Sequence, residues 1–270
     1  MPSIPTVSVI MGAYNCAQTI DEAVTSIVRQ SFGGWELIIC DDASTDDTLA
    51  KAQAWASKDT RIHVIGNKSN LGLAKTLDRC IAESKAGLLI RHDADDISLQ
   101  HRFARLVSAM EQNLDASVVG SWVTCFDNSQ DLGVIRTAPR PQTVDLLHGT
   151  VFFHPSCIMR KADILSVGGY GSQPWLRRSQ DYYLWFRLYA AGMHGINLQE
   201  SLYRFREDSA AWKRRGLRAR WMESRVRWEG FRLIRVPIWR RWLAFTPLLK
   251  CLVPGALYAW IRKRRLSSGG

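Results

Sequence analysis

The segment Trp35-Glu-Leu-Ile-Ile-Cys-Asp-Asp-Ala-Ser-Thr-Asp-Asp-Thr48 contains a strand signal and a helix signal in immediate succession. The apolar run Trp35–Cys40 is typical of a short buried β-strand. Two aspartates follow this run directly, and Thr45–Asp47 then supplies side chains that cap the start of an α-helix. The segment therefore predicts one strand–turn–helix unit, with its helix continuing to about Ser57.

The same alternation of strand and helix recurs on both sides of this unit. The further predicted strands are Thr6–Met11, Arg61–Ile65, Gly87–Arg91 and Ser117–Phe126, and the further predicted helices are Ala17–Gln30, Leu73–Ser84 and Leu99–Asn113. Four strand–helix units in succession predict an α/β fold with a mostly parallel sheet and helices on both faces.

Composition excludes several classes of protein. The chain has 270 residues, 46% hydrophobic and 23% charged, which is typical of a globular protein rather than a disordered one. Its six cysteines lie at least 24 residues apart, which excludes zinc ribbons and CxxC redox pairs. This spacing predicts reduced thiols in the cytoplasm. The N-terminus lacks the basic and apolar regions of a signal peptide.

Acidic residues gather at the predicted carboxyl ends of two strands, where open α/β sheets bind ligands. They are Asp41, Asp42, Asp93, Asp95 and Asp96. Carboxylates packed together repel one another unless a cation or hydrogen-bond donors lie among them. Oxygen ligands of this kind suit Mg²⁺ or Mn²⁺ together with a substrate phosphate. The alternative is that these aspartates only cap helices and line turns.

The loop after the first strand has no glycine-rich phosphate motif. Gly12–Ala17 matches neither GxGxxG nor GxxxxGK[ST], which argues against a dinucleotide dehydrogenase and against a P-loop NTPase. Phosphate charge would then be neutralised by a metal ion and basic side chains.

Several motifs together resemble family 2 glycosyltransferases, which are inverting enzymes of the GT-A fold that use nucleotide sugars. The motifs are Val7–Asn15, Glu36–Thr48, Asn70–Ala74, Asp93–Asp96, His154–Lys161, Gly168–Tyr170, Gln180–Arg187 and Leu202–Arg206. The pattern most resembles bacterial exopolysaccharide and amylovoran-type enzymes. The resemblance implies a GT-A domain over residues 1–210, a mixed Rossmann-like sheet with a nucleotide half (1–126) and an acceptor half (127–210), followed by a basic helical extension over residues 211–270.

The resemblance also implies a donor site. Its nucleotide-binding residues would be Tyr14, Asn15, Asp41, Asp42 and Asp93. Tyr14 would stack on the nucleobase, usually uracil, and Asp42 would accept its ring N–H while Asp41 supports the pocket. Asp93 would contact the ribose or the metal shell, and Asp95 would coordinate Mg²⁺ or Mn²⁺ on the diphosphate.

Asp181 lies where the family carries its catalytic base. An inverting transfer needs one carboxylate to take the proton of the acceptor hydroxyl as that oxygen attacks the anomeric carbon. The family often has an acidic residue at the preceding position, which is Gln180 here. The alternative is that Asp181 only caps a helix over Tyr182–Ala191.

Three further residues are candidates for the acceptor or phosphate site. His154 could contact the diphosphate or the acceptor, or it could be a hydrogen-bonded turn histidine. Arg178 could neutralise phosphate or be a solvated charge, and Trp175 could stack on a sugar acceptor.

The last part of the chain is strongly basic. Residues 201–270 hold 18 Lys and Arg against 4 Asp and Glu, and 6 of the 11 Trp. Trp212–Arg235 is predicted to be an amphipathic basic helix that Pro237 ends, and the apolar stretch Trp242–Ile261 is predicted to lie in a membrane interface rather than to span the bilayer. The protein would be cytoplasmic and peripheral on the inner face of the cell membrane, beside a lipid-linked glycan acceptor.

Three alternatives remain at this point. The basic segment could pack on the body of the protein, with its charges solvated. The protein could instead bind nucleic acid through its Trp- and Arg-rich tail, although a rim of carboxylates would repel phosphates and argues against nucleic acid as a partner. It could also bind nucleotide sugars without catalysis.

Overall fold

A computed structural model describes residues 4–127, 130–171, 173–176, 179–207 and 216–249. The strands in these ranges are β1 (Val7–Ala13), β2 (Trp35–Asp41), β3 (Ile62–Gly66), β4 (Leu88–Arg91), β5 (Ile97–Ser98), β6 (Ala116–Phe126), β7 (Asp131–Ile135), β8 (Ile158–Arg160) and β9 (His194–Arg206). The α-helices are α1 (Ile20–Val28), α2 (Thr48–Ala56), α3 (Leu73–Glu83), α4 (Arg102–Gln112), α5 (Lys161–Ser166), α6 (Gln180–Ala190), α7 (Leu217–Leu233) and α8 (Thr246–Leu249).

The described strands form one mixed sheet in the order β3-β2-β1-β4-β8-β6-β9-β5, with β7 paired to β6. Strands β1 to β4 are parallel, as the sequence predicts. The antiparallel strand β8 lies between β4 and β6, so β6 does not extend the parallel run directly. The carboxyl ends of β1, β2 and β4 therefore meet at one edge of the sheet.

Two hydrophobic layers cover the two faces of the sheet. Alternate residues of β1 point to opposite faces, so Val7, Val9 and Met11 pack with α1, α2 and α4, while Ile10 packs with α3, α5, α6 and α7. The prediction of helices on both faces is confirmed, and each predicted helix of the nucleotide half begins and ends within three residues of the observed one.

The basic helix α7 packs on the body of the protein. The rings of Phe186 in α6 and Phe231 in α7 lie 5.9 Å apart between centroids, in an edge-to-face arrangement. Both rings are fully buried. Gly230 makes this contact possible, since a Cβ at that position would lie 2.2 Å from Cδ2 of Phe186. Leu217–Leu233 thus confirms most of the predicted helix 212–235, whose first residues lie outside the described ranges.

Replacement of Gly230 by alanine should destabilise the fold. The added methyl group overlaps the Phe186 ring and forces α6 and α7 apart, so we expect the free energy of unfolding to fall by about 1–3 kcal/mol. Urea denaturation measures the change. Gly87→Ala is the matched control, because a Cβ there meets no atom within 4 Å. Equal stability of Gly230→Ala and the wild type would contradict the packing of α7 on α6.

No helix in the described part of the chain has the length and apolarity needed to cross a membrane. After Pro237 the chain forms a 3-10 helix, Ile238–Phe245, and the short helix α8. Most of the apolar stretch predicted over residues 242–261 lies outside the described ranges.

Candidate active site

The loops that follow β1 and β2 are tied together by Asn15. Its backbone N–H donates to Oγ of Ser44 at 3.0 Å, and its Oδ1 accepts from the backbone N–H of Thr45 at 2.8 Å. Asn15 has a φ of 48°, in the left-handed region that asparagine tolerates better than most residues. These contacts leave the ring of Tyr14 exposed at the edge of the sheet.

Asp41 and Asp42 are both buried at the end of β2, but their carboxylates differ in what they bind. Asp42 Oδ1 accepts from Nδ2 of Asn67 at 2.6 Å and from the backbone N–H of Leu71 at 2.8 Å, and its Oδ2 accepts from the N–H of Gly72 at 2.9 Å. Asp41 Oδ2 accepts from the N–H of Ser44 at 3.0 Å, whereas its Oδ1 is buried with no hydrogen-bond partner among the described residues. Asp42 thus holds the loop before α3, and Oδ1 of Asp41 is a buried acceptor that no described donor satisfies.

The turn after β4 presents the second acidic group. Asp93 forms an ion pair with the fully buried Arg91, and its backbone N–H donates to the Tyr203 hydroxyl at 3.0 Å. Asp96 is buried and accepts from the backbone N–H of Arg206 at 2.7 Å. Burial raises the pKa of Asp96 well above its usual range, and the charges of Asp93 and Asp95 add to that effect.

Asp95 points outward from the same turn. Desolvation by the surrounding protein, and then the charge of Asp93, raise the pKa of Asp95 to about 6. A bound cation would relieve this repulsion between the two carboxylates. Among the described residues no group of three or more Asp, Glu, His or Cys side chains forms a complete metal cage. Two carboxylates that leave the remaining positions to phosphate and water are nonetheless a donor set that suits Mg²⁺ or Mn²⁺.

Asp181 lies in the first turn of α6. The helix begins at Gln180, after Ser179, whose φ of 62° is left-handed, so Asp181 lies inside the helix and not at its cap. Desolvation raises the pKa of Asp181, while backbone N–H groups, including that of Tyr182, lower it. The charge of Asp93 further raises the pKa of Asp181, and the charge of Arg91 lowers it. Asp181 and the acidic turn after β4 therefore influence each other electrostatically.

A pocket of about 460 Å³ opens beside Asp181. Its lining residues come from the start of α3, from residues 149–150, from the start of α6 and from α7: Leu73, Gly149, Thr150, Ser179, Gln180, Asp181, Tyr182, Ala219, Arg220 and Glu223. Leu73 follows the Gly72 that Asp42 binds, so the pocket adjoins the loops of the nucleotide half.

The three remaining candidates from the sequence lie in different surroundings. His154 is buried and its Nε2 lies 2.6 Å from the Tyr170 hydroxyl, so the interpretation as a hydrogen-bonded turn histidine is the one these contacts favour. Trp175 packs edge-on against Tyr183 and beneath the guanidinium of Arg225, and it is not among the residues that line the pocket. Arg178 lies outside the described residues.

Sequence reasoning missed three residues of the site. Arg91 is hidden within a strand pattern, although a charged residue at the end of an apolar run is itself a signal. Arg220 and Glu223 line the pocket from α7, where their side chains lie 3.4 Å apart. In the sequence they cannot be told apart from the other charged residues of the tail.

Comparison with known proteins gives close relatives. The profile described as Glycosyl transferase family 2 matches residues 8–168. The chain is 36% identical over 267 residues to the "Putative glycosyltransferase EpsE" of Bacillus subtilis, covering 98% of this chain and 96% of that one. It is 30% identical over 218 residues, 78% of each chain, to the UDP-Gal:alpha-D-GlcNAc-diphosphoundecaprenol beta-1,3-galactosyltransferase of Escherichia coli.

Solved structures share the fold. The S. aureus TarS 1–349 complex with UDP-GlcNAc superposes with a TM-score of 0.67 at 18% identity, covering 91% of this chain and 71% of that one. The mannosyltransferase PcManGT from Pyrobaculum calidifontis, in complex with GDP-Man and Mn²⁺, gives a TM-score of 0.62 at 18% identity, covering 96% of this chain and 79% of that one. The GT-A fold implied by the sequence motifs is confirmed.

Proposed function

The chain belongs to glycosyltransferase family 2, and on that basis we propose that it transfers a hexose from a UDP-sugar, with inversion, to a lipid-linked glycan in bacterial cell-surface polysaccharide synthesis. One observation carries the proposal. Acidic side chains follow β2 and β4 at one edge of the sheet, and the separate carboxylate of Asp181, which feels the charges of Asp93 and Arg91, lines a pocket of its own. A glycosyltransferase needs such a separation, with one acidic group for the sugar donor and another carboxylate for the acceptor hydroxyl.

The proposed nucleobase site consists of Tyr14, Asn15 and Asp41. Tyr14 supplies an exposed ring for stacking, and Asn15 holds the loop that carries it. The unpartnered Oδ1 of Asp41 supports this residue as the acceptor for the ring N–H of uracil. Asp42 has both oxygens engaged by the protein, so we assign it the supporting role and exchange the two roles that the sequence resemblance implies.

Replacement of Asp41 and Asp42 by asparagine should separate these two roles. In Asp41→Asn the amide oxygen is held by the Ser44 N–H, so the amide nitrogen faces the base and UDP affinity should fall about tenfold to a hundredfold. Asp42→Asn leaves a protein donor unpaired, so the free energy of unfolding should fall by about 1–3 kcal/mol with little change in UDP affinity. Calorimetric titration with UDP and thermal denaturation measure both effects. The reverse pattern would restore Asp42 as the residue that binds the base.

Asp93 and Asp95 are the proposed holders of Mg²⁺ or Mn²⁺. When bound, such an ion supplies Lewis-acid neutralisation of the leaving diphosphate. The chain's own contribution is to hold the turn: Arg91 pairs with the carboxylate of Asp93, the backbone N–H of Arg206 donates to Asp96, and Nε of Arg206 donates to the backbone carbonyl of Asp95 at 2.9 Å. Asp95 is left exposed on this turn, where it would be free to bind the ion.

Asp181 is the proposed base. Its carboxylate reaches the pocket from the first turn of α6, and Gln180 beside it cannot accept a proton at neutral pH. The partial burial that raises the pKa of Asp181 makes the carboxylate a stronger base than an exposed aspartate. It would take the proton of the acceptor hydroxyl as that oxygen attacks the anomeric carbon on the side opposite the diphosphate.

The proposed acceptor is a glycan linked to a lipid diphosphate, and the reaction would take place at the inner face of the cell membrane with the protein bound peripherally. The support comes from the E. coli relative, whose name gives a diphosphoundecaprenol-linked sugar as the acceptor. The pocket beside Asp181 is open enough to admit a sugar.

A donor-release assay tests the proposed function. Purified protein is offered a panel of UDP-, GDP- and dTDP-sugars with Mn²⁺, Mg²⁺ or chelator, and with GlcNAc linked to a polyprenyl diphosphate as acceptor. We expect release of UDP from one UDP-sugar, dependent on the acceptor and on the metal. UDP binding without turnover over many acceptors would favour a non-catalytic sugar-nucleotide binder. Absence of nucleotide binding, with a salt-sensitive shift of DNA or RNA, would favour a nucleic-acid-binding protein.

A further inference from the structure

The 3-10 helix Ile238–Phe245 presents a row of aromatic side chains to solvent. A 3-10 helix has three residues per turn, so side chains three positions apart lie directly above one another. Trp239, Trp242 and Phe245 have this spacing, with exposed fractions of 72%, 61% and 38%. Exposed aromatic side chains in such a row are unusual on a monomeric protein and mark a surface that meets a partner.

Helix α7 extends the row. Trp221 is 57% exposed, and its ring lies 6.4 Å from that of Phe245 between centroids. We call Trp221, Trp239, Trp242 and Phe245 the aromatic face.

The aromatic face is held on a fixed support. The backbone N–H of Val236 donates to the Phe231 carbonyl at 2.8 Å, and Nε of Arg241 donates to the Val236 carbonyl at 2.9 Å. Ala244 is fully buried against the body. The aromatic rings are therefore presented by a segment that packs on α7, and α7 packs on the catalytic domain.

The surroundings of the aromatic face are cationic. Residues 216–249 contain eight Arg and two Glu, with no Lys or Asp. Both glutamates face arginines of the same helix, Glu223 at 3.4 Å from Arg220 and Glu229 at 3.1 Å from Arg232. The guanidinium of Arg240 lies 5.5 Å from the ring centre of Trp239, so positive charge and aromatic surface meet at one place.

From these observations we infer that the aromatic face docks on the surface of an anionic lipid bilayer. Trp rings favour the depth of the lipid headgroups, and arginines flanking them contact lipid phosphates. Ile238 and Leu249 are both exposed at the ends of the same segment. Burial of these side chains in hydrocarbon would be favourable, whereas the polar backbone of a nucleic acid offers them no apolar contact. The contact lies within residues 221–249, and it does not require the stretch to residue 261.

The docking surface and the acceptor pocket share one helix. Arg220 and Glu223 of α7 line the pocket, and the neighbouring Trp221 belongs to the aromatic face. Docking would therefore hold the pocket close to the bilayer. This consequence rests on the proposed function, because it matters only if the acceptor is lipid-linked.

Vesicle co-sedimentation of the full chain tests the docking surface directly. The probe is vesicles of phosphatidylcholine with or without phosphatidylglycerol, and the variant is Trp239→Ala/Trp242→Ala, whose exposed side chains are not needed for packing. We expect the wild type to bind the anionic vesicles and the variant to bind at least tenfold more weakly. Leu114→Ala/Leu165→Ala removes two exposed apolar side chains elsewhere and should bind as the wild type does.

Equal vesicle binding by the Trp239→Ala/Trp242→Ala variant and the wild type would overturn the inference. So would absence of wild-type binding to anionic vesicles, or binding of DNA by the wild type that the double variant loses while vesicle binding is unchanged. Vesicle binding is measured without donor or acceptor, so its failure is distinct from a failure of the glycosyltransferase proposal. UDP affinity of the double variant should equal that of the wild type.

Discussion

Asp181→Asn should lower kcat by about 10²–10⁴-fold, the range that a lost general base contributes. The amide has nearly the shape of the carboxylate, so the start of α6 should keep its structure. UDP-sugar affinity should stay within about threefold of the wild-type value, because Asp181 faces the acceptor pocket and the nucleobase site is formed by β1 and β2. Turnover in the presence of acceptor and calorimetric titration with the donor measure the two quantities separately.

The pH dependence of the wild type gives an independent check on the same residue. Burial raises the pKa of Asp181, so the base stays protonated, and inactive, to a higher pH than an ordinary aspartate with a pKa of about 3.9. At saturating metal, kcat/KM should therefore rise with pH through that raised pKa, and this limb should be absent in Asp181→Asn.

Asp115→Asn is the matched control for Asp181→Asn. Asp115 precedes β6, which runs parallel to β4, so it lies at the opposite edge of the sheet from the site. Its substitution should leave kcat unchanged. If Asp181→Asn turns over at the wild-type rate, Asp181 is not the base, and the proposed donor site is unaffected by that result.

Loss of the metal should be the second large effect. Asp95→Ala, or a chelator added to the wild type, should lower turnover by at least about a hundredfold, since neutralisation of the leaving diphosphate contributes several kcal/mol to the transition state. The effect is measured as the turnover rate of the wild type and of Asp95→Ala at increasing Mn²⁺ concentrations. Asp95→Ala should need a much higher Mn²⁺ concentration for half-maximal rate than the wild type.

The control for this experiment is UDP binding without metal. Asp41 and Tyr14 are separate from the β4 turn, so Asp95→Ala should still bind UDP weakly in chelator, as the wild type does. Full activity of the wild type in chelator would exclude the metal. If Asp95→Ala reaches half-maximal rate at the same Mn²⁺ concentration as the wild type, the metal is held by ligands other than Asp95.

The parallel half of the fold could be predicted because its signals are local. Each strand from β1 to β4 is a short apolar run, and each helix that follows has apolar residues at helical spacing. Because ligands in open α/β sheets bind at the carboxyl ends of the strands, the sequence predicted that Asp41 and Asp93 lie at one edge of the sheet, without any knowledge of distances. The same rule could not say which of two neighbouring aspartates is free, since this depends on the Leu71 and Gly72 N–H groups that Asp42 binds.

The rest depends on contacts between distant parts of the chain. Strand β8 has three residues, too few for a periodic signal, yet it makes the sheet mixed. The packing of α7 on α6 depends on one glycine that admits the ring of Phe186, and sequence cannot reveal that fit. The tail does form a helix over Leu217–Leu233, while its predicted amphipathic, membrane-facing character stays a prediction, and the burial of its Arg220 and Arg227 had no signal in a segment so rich in arginine.

The anomeric configuration of the product tests the central claim most directly. Once the donor is identified, the linkage formed from a UDP-α-sugar can be assigned by NMR of the isolated product. A single displacement, in which the acceptor oxygen attacks opposite the diphosphate and Asp181 takes its proton, predicts a β linkage. An α linkage would contradict the account, because retention requires a different chemistry at the anomeric carbon from the one that Asp181 can support as a base.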